Sequence, residues 1–141
     1  MSVWKQAASI EDLNRIQENS LASWLGIEFV DMTEDSLVAR MPVDSRTKQP
    51  FGLLHGGASV VLSETMGSVG GFLAAGPESI VVGLEVNANH LRSATEGFVT
   101  GTCRPLHVGR TTQVWETQVH DDQQRLVCVS RLTVVVKSTK G

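Results

Sequence analysis

Residues 49–68 read QPFGLLHGGASVVLSETMGS. The stretch opens as a proline-containing loop, passes a histidine and two glycines, and continues as a small, apolar run that holds one carboxylate, Glu64. From about 54 to 75 the apolar residues Val60, Val61, Met66, Val69, Phe72 and Leu73 recur at helical spacings. Gly56, Gly57, Ala58, Gly67, Gly70 and Gly71 make this helix rich in tiny residues. Each glycine in a helix costs roughly 0.5–1 kcal/mol relative to alanine. The expected offset is close approach of a sheet packed around the helix. Gly76 and Pro77 end the run.

Outward from this helix the pattern changes period. Ser9 and Asp12 resemble a capping box that opens a short amphipathic helix, and a second helical turn stops at Gly26. IEFVDMT and SLVARMPV alternate apolar and polar residues across a turn, which predicts a hairpin. After the long helix, four strand-like runs cover 80–90, 97–107, 111–120 and 126–137. One glycine-rich helix with about six strands, most following one another without an intervening helix, predicts an α+β fold with a curved antiparallel sheet wrapped around the helix. The 141 residues suit a single domain spanning 1–141.

Composition removes several classes of function. Apolar residues make up 41% and charged residues 19%, which argues against disorder, and a net charge of −3 gives no basic face for nucleic acid. The first residues carry no apolar leader, and the GxxxG at Gly67 and Gly71 reads as tight packing in a run too short and too polar for a membrane helix. The two cysteines, Cys103 and Cys128, lack CxxC spacing and read as reduced strand residues of a cytoplasmic protein. GxGxxG, GxxxxGK[ST] and GxSxG are absent. His55, His90, His107 and His120 show no metal-ligand spacing, so no metal is expected.

The remaining chemistry lies on the long helix and at two strand ends. His55, Gly56 and Gly57 sit where a loop becomes a helix, and the first N–H groups of a helix have no internal partner. Two glycines would let a carbonyl oxygen approach those groups, a geometry that stabilises charge in acyl transfer; taken alone, this feature favours a plain glycine-rich helix start. Glu64, with Ser68 four residues on along the same face, has small or apolar neighbours. A carboxylate so placed is costly to ionise, which suits a general base or nucleophile, although a solvent-facing glutamate fits the same pattern. Gln49 could orient a carbonyl or a water from the loop, although a loop glutamine more often simply faces solvent. NANHLRS (87–93) and PLHVGR (105–110) each end a strand with His and Arg, residue types that can hold phosphate, although taken alone they read first as ordinary polar strand ends. If their strands pair, the two clusters meet at one end of the sheet.

QPFGLLHGGASVVLSETMGS, together with NANHLRS and PLHVGR, resembles the hotdog-fold acyl-CoA thioesterases, in the branch related to hydroxybenzoyl-CoA thioesterase. The likeness covers nearly the whole chain and extends to the thioesterases of menaquinone synthesis and of enterobactin proofreading. The resemblance implies hydrolysis of acyl-CoA thioesters, aroyl-CoA such as 1,4-dihydroxy-2-naphthoyl-CoA first among them, with misacylated aryl carrier protein as the alternative substrate. No cofactor is implied, since CoA is part of the substrate. It also implies homodimers joined edge to edge, paired into tetramers, with sites shared between subunits. Residue by residue, Glu64 matches the catalytic carboxylate and Gly56 the backbone donor to the thioester carbonyl. His55 and Gln49 match residues that place the carbonyl or leaving thiolate, and Ser68 a residue that positions water or the acyl group. His90, Arg92, Ser93, His107, Gly109 and Arg110 match positions near the CoA nucleotide and phosphates, and Gly83 one along the pantetheine. A non-catalytic acyl-CoA binder on the same fold is the rival reading, and the presence of Glu64 speaks against it.

Overall fold

The computed structural model describes residues 1–140. In chain order the elements are α1 (Ile10–Ile16), α2 (Leu21–Trp24), β1 (Glu28–Met32), β2 (Leu37–Pro42), α3 (Gly56–Ala75), β3 (Ser79–His90), β4 (Phe98–Val108), β5 (Thr112–Asp121) and β6 (Leu126–Ser138). The six strands form one antiparallel sheet in the order β1-β2-β4-β5-β6-β3. Five of them, β2 to β6, touch α3. The expected helix wrapped by a sheet is therefore the architecture that forms.

The local signals act as their chemistry dictates. Both halves of the Ser9–Asp12 capping box are present. The turn after α2 passes through Gly26 at φ 77°, and α3 ends at Gly76 with φ 95°, conformations that glycine adopts without penalty. The long helix begins at Gly56, two residues later than expected. Leu54 is held in an isolated bridge with Lys48, its N–H donates to Ala94 O, and His55 takes the extended N-cap conformation.

Two of the helix glycines mark the closest approach of the sheet. A Cβ on Gly70 would lie 2.9 Å from the Trp115 ring, and one on Gly67 would lie 2.6 Å from Leu132 Cδ2. Leu62, Met66 and Leu73 fill the core from the helix side, and Val99, Cys103, Trp115, Val119 and Val134 fill it from the sheet. Both cysteines are free and buried. Burial pushes the Cys103 thiol up to about 12, and it raises that of Cys128 as well.

Trp115 is covered on its outer side by Trp4, the two rings stacked at 5.8 Å with an interplanar angle of 6°. Trp4 belongs to an N-terminal strap. Its indole N–H donates to Thr33 O, Lys5 N–H donates to Leu73 O at 2.8 Å, and Gln6 Nε2 donates to Phe72 O at 2.8 Å. The last carbonyls of a helix have no partner within it, and this strap supplies partners for two of those in α3.

In length and composition α3 could cross a membrane, contrary to the expectation that the run is too short and too polar, but most of it is buried beneath the sheet. The sheet has two edges, β1 and β3. The β3 edge is twelve residues long, and Ile80, Val82 and Leu84 are 48%, 44% and 63% exposed along it.

Candidate functional site

The N-terminus of α3 carries the first group of expected residues. His55 caps the helix in place of the usual Ser, Thr, Asp or Asn: its Nδ1 accepts from Gly57 N–H at 2.8 Å, which leaves the ring proton on Nε2. Among the described residues the Gly56 N–H makes no backbone hydrogen bond. The His90 ring packs over Gly56, where a Cβ would stand 3.0 Å from Nε2. Gln49 closes the turn before the helix, its Oε1 accepting from the N–H groups of Phe51 and Leu53, so the side-chain amide NH2 remains free to donate. Gln49, Gly56, His90, Arg92 and Ser93 together line a cavity of about 440 Å³. Ser59, buried one turn into the helix, lines it too and escaped the sequence reading, although its spacing of three from Gly56 puts it on the same face.

Glu64 and Ser68 line a different cavity, of about 460 Å³. Its lining is mostly apolar, with Val69 and Phe72 from α3, Ile80 and Val81 from β3 and Ile16 from α1, and Gln17 and Thr65 complete it. Glu64 is half-buried and takes part in no salt bridge among the described residues. Its Oε2 lies against Gly83 of β3. The contribution of α1 to this cavity was not legible beforehand, because nothing local in Ile16 or Gln17 points to a partner so distant in the chain.

These two cavities are separate places. Gly56 and Glu64 are eight residues apart on one helix, a rise of about 12 Å. The expectation that NANHLRS and PLHVGR meet at one sheet end is also corrected. β3 and β4 are not neighbours, since β6 and β5 lie between them. The turn carrying Gly109 and Arg110 lies beyond Thr112, which pairs with Val135, itself opposite Val82. His107 pairs with Val114, whose partner Thr133 lies opposite Glu85. Val82 and His90 are eight residues apart along β3, roughly 26 Å. His107, Gly109 and Arg110 thus stand toward the other end of the sheet from His90, Arg92 and Ser93. The second turn is tight, with Gly109 N–H donating to Thr112 O at 2.9 Å. Among the described residues no cluster of His, Cys, Asp and Glu could hold a metal ion.

The family description "Thioesterase superfamily" matches residues 51–128, a span that takes in the α3 N-terminus, Glu64 and the β3 edge. The chain belongs to the thioesterase superfamily. It is 54% identical over 134 residues to the 1,4-dihydroxy-2-naphthoyl-CoA hydrolase of Escherichia coli (strain K12), covering 95% of this chain and 98% of that one. It is 48% identical over 134 residues to the proofreading thioesterase EntH of Cronobacter turicensis, with coverage of 95% and 98%. The crystal structure of thioesterase HI1161 from Haemophilus influenzae superposes with a TM-score of 0.96 at 47% identity, covering 99% of this chain and 97% of that chain. A thioesterase must bring a donor to the carbonyl oxygen and a carboxylate or water to the carbon of the same thioester. In a single copy of this thioesterase the free helix N–H and Glu64 are too far apart for that.

Proposed function

We propose that this thioesterase hydrolyses acyl-CoA thioesters to the free acid and CoA, and that two copies build each site. The observation that carries the reading is Glu64, unpaired in an apolar cavity beside the open β3 edge. Pairing that edge with the same edge of a second copy satisfies its free backbone groups. It also runs the second α3 in the opposite direction. Gly56 lies level with His90, and Glu64 lies level with Gly83. A two-fold axis near the level of Val86 therefore brings the Gly56 amide of one copy to the level of Glu64 in the other. The same reversal puts the His90, Arg92 and Ser93 cluster of one copy at the sheet end that carries His107, Gly109 and Arg110 of the other. These residues would then hold the CoA nucleotide and phosphates. Pairs of such dimers form the tetramer that the family resemblance implies, and the enzyme works in the cytoplasm, where thiols such as Cys103 and Cys128 stay reduced.

The Gly56 N–H, at the positive end of the helix, polarises the thioester carbonyl, a contribution of about 2.7–4 kcal/mol to the barrier for one such donor. The Gln49 amide and His55 Nε2–H place the carbonyl or the leaving sulfur. Glu64 either attacks the carbonyl carbon, giving a mixed anhydride that water then cleaves, or removes a proton from the attacking water. In both routes the C–S bond breaks, the thiolate leaves and takes up a proton, and the oxygen of one water ends in the products. Ser68, one turn from Glu64, positions the water or the acyl group.

The acyl cavity, walled by Val69, Phe72, Ile80, Val81 and Ile16, suits a flat aromatic acyl group such as 1,4-dihydroxy-2-naphthoyl. A second reading, release of misacylated aryl carrier protein, is supported by the 48% identity to EntH. The test is kcat/KM over 1,4-dihydroxy-2-naphthoyl-CoA, benzoyl-CoA, a fatty acyl-CoA and an aroyl carrier protein. Aroyl-CoA is expected to lead, and Glu64→Gln is expected to remove nearly all turnover without loss of fold. Thiol release undiminished by Glu64→Gln would overturn the assignment, and a carrier protein substrate that outruns every CoA thioester would favour the second reading.

A further inference from the structure

Gly83 sits in the interior of β3, where glycine weakens a strand and needs a reason. Backbone conformation is not that reason, for its φ lies outside the left-handed region. Nor is it crowding by the core. A Cβ built on Gly83 would meet one atom only within 4 Å, Glu64 Oε2, at 2.9 Å. The strand is also irregular at this point. Gly83 pairs with Val134 and Glu85 with Thr133, so Leu84 is an extra, bulged residue, 63% exposed at the edge. Bulges bend a strand and re-aim side chains, and they gather beside active sites. Here a bare backbone and a bulge coincide where a side chain from the central helix reaches the edge strand.

We propose that Gly83 is a positioning residue for Glu64: its missing side chain, at the β3 bulge, provides the seat in which the carboxylate lies at the edge where the second copy joins. The proposal rests on Glu64 being the reacting carboxylate. It differs from a role for Gly83 in binding the pantetheine arm alone, because an added methyl displaces the carboxylate itself. Ordinary contact begins at 3.4 Å, so the carboxylate must move by about half an ångström or rotate away. Displacements of this order at a reacting group cost about ten- to a hundredfold in rate.

The experiment is a double-mutant cycle of Gly83→Ala with Glu64→Asp, read as kcat and KM, with Glu64→Gln as the inactive reference. Within one copy the methyl that Gly83→Ala adds meets nothing but the carboxylate, so the variant is expected to fold with an unchanged Tm. With Glu64 in place, Gly83→Ala is expected to lower kcat about ten- to a hundredfold with KM little changed. In the Glu64→Asp background the carboxylate is withdrawn by one methylene, and the added methyl touches nothing. There the same change is expected to alter kcat by less than about twofold. Equal losses in both backgrounds would mean that the strand itself is disturbed, and the proposal would fall. A raised KM with kcat intact would assign Gly83 to the thiol arm and overturn it as well. Wild-type kinetics for Gly83→Ala beside an inactive Glu64→Gln would refute the positioning role while leaving the active-site assignment standing. An active Glu64→Gln would instead remove the assignment on which the proposal rests.

Discussion

Mixing two impaired variants tests whether the site is shared between copies. Glu64→Gln removes the carboxylate, and Gln49→Ala removes the amide beside the helix start. Neither change should unfold the chain. Glu64 has no ion pair to lose, and the turn at Gln49 keeps two backbone bonds, Gln49 N–H to Leu53 O and Gly52 N–H to Gln49 O. Catalytic donors act at about 2.7–3.1 Å from the oxygen they stabilise. Within one chain Gly56 and Glu64 are separated by about 12 Å, so a site built in cis is out of reach. If each site takes Glu64 from one copy and Gln49 with Gly56 from the other, a chain carrying Gln49→Ala still supplies a good Glu64, and a chain carrying Glu64→Gln still supplies a good Gln49. When the two are unfolded, mixed in equal amounts and refolded, about a quarter of all sites in a two-fold assembly receive both intact halves. Thiol release should therefore recover to about a quarter of the wild-type rate, against almost none for Glu64→Gln and a lowered rate for Gln49→Ala refolded alone. A mixture no more active than the mean of its two parents would refute the shared site.

Two further outcomes concern the core. Gly70→Val should destabilise the fold by about 1–3 kcal/mol, because the Trp115 ring beneath it is clamped by Trp4 and cannot retreat; thermal or urea unfolding measures this, and an unchanged Tm would contradict the packing described. The thiolate is the form that reacts with alkylating reagents, and burial holds the Cys103 thiol at about 12, so it stays protonated at pH 8. Iodoacetamide at that pH should leave Cys103 unmodified in the folded protein and label it promptly in denaturant, with mass spectrometry as the readout.

Much of the fold was written locally. The Ser9–Asp12 box, Gly26, the Gly76–Pro77 stop and the period-two runs each act through neighbours a few residues away, and each forms where expected. The glycine stripe was legible as a packing demand, though not its partner: nothing near Gly70 announces Trp115. The site was legible as chemistry and illegible as geometry. Glu64 stood out by residue type and setting, whereas Gly56 and Gln49, ordinary enough as a helix start and a loop glutamine, were singled out by the family resemblance. That the first lies in a separate cavity from the other two depends on helix rise and on the β3 edge, which are properties of the folded chain. The supposed meeting of NANHLRS and PLHVGR failed for the same reason. Both end a strand, but strand order is fixed by long-range pairing, and β5 and β6 come between them. Ile16 and Ser59 were missed because lining a cavity leaves no mark on an ordinary helical residue.

The strap formed by Trp4, Lys5 and Gln6 has a practical side. It grips the carbonyls of Phe72 and Leu73, and Phe72 is a wall of the acyl cavity. Pulling on the first residues therefore tugs at the pocket that must discriminate one acyl group from another. Near the opposite terminus Thr139 donates its N–H and Oγ1–H to Glu78 O and Lys140 pairs with the Glu78 carboxylate, but Glu78 is not part of the cavity wall. An affinity handle, a surface anchor or a fluorescent fusion belongs on that side, and comparisons of substrate preference between differently tagged preparations are safest when the amino end is left bare.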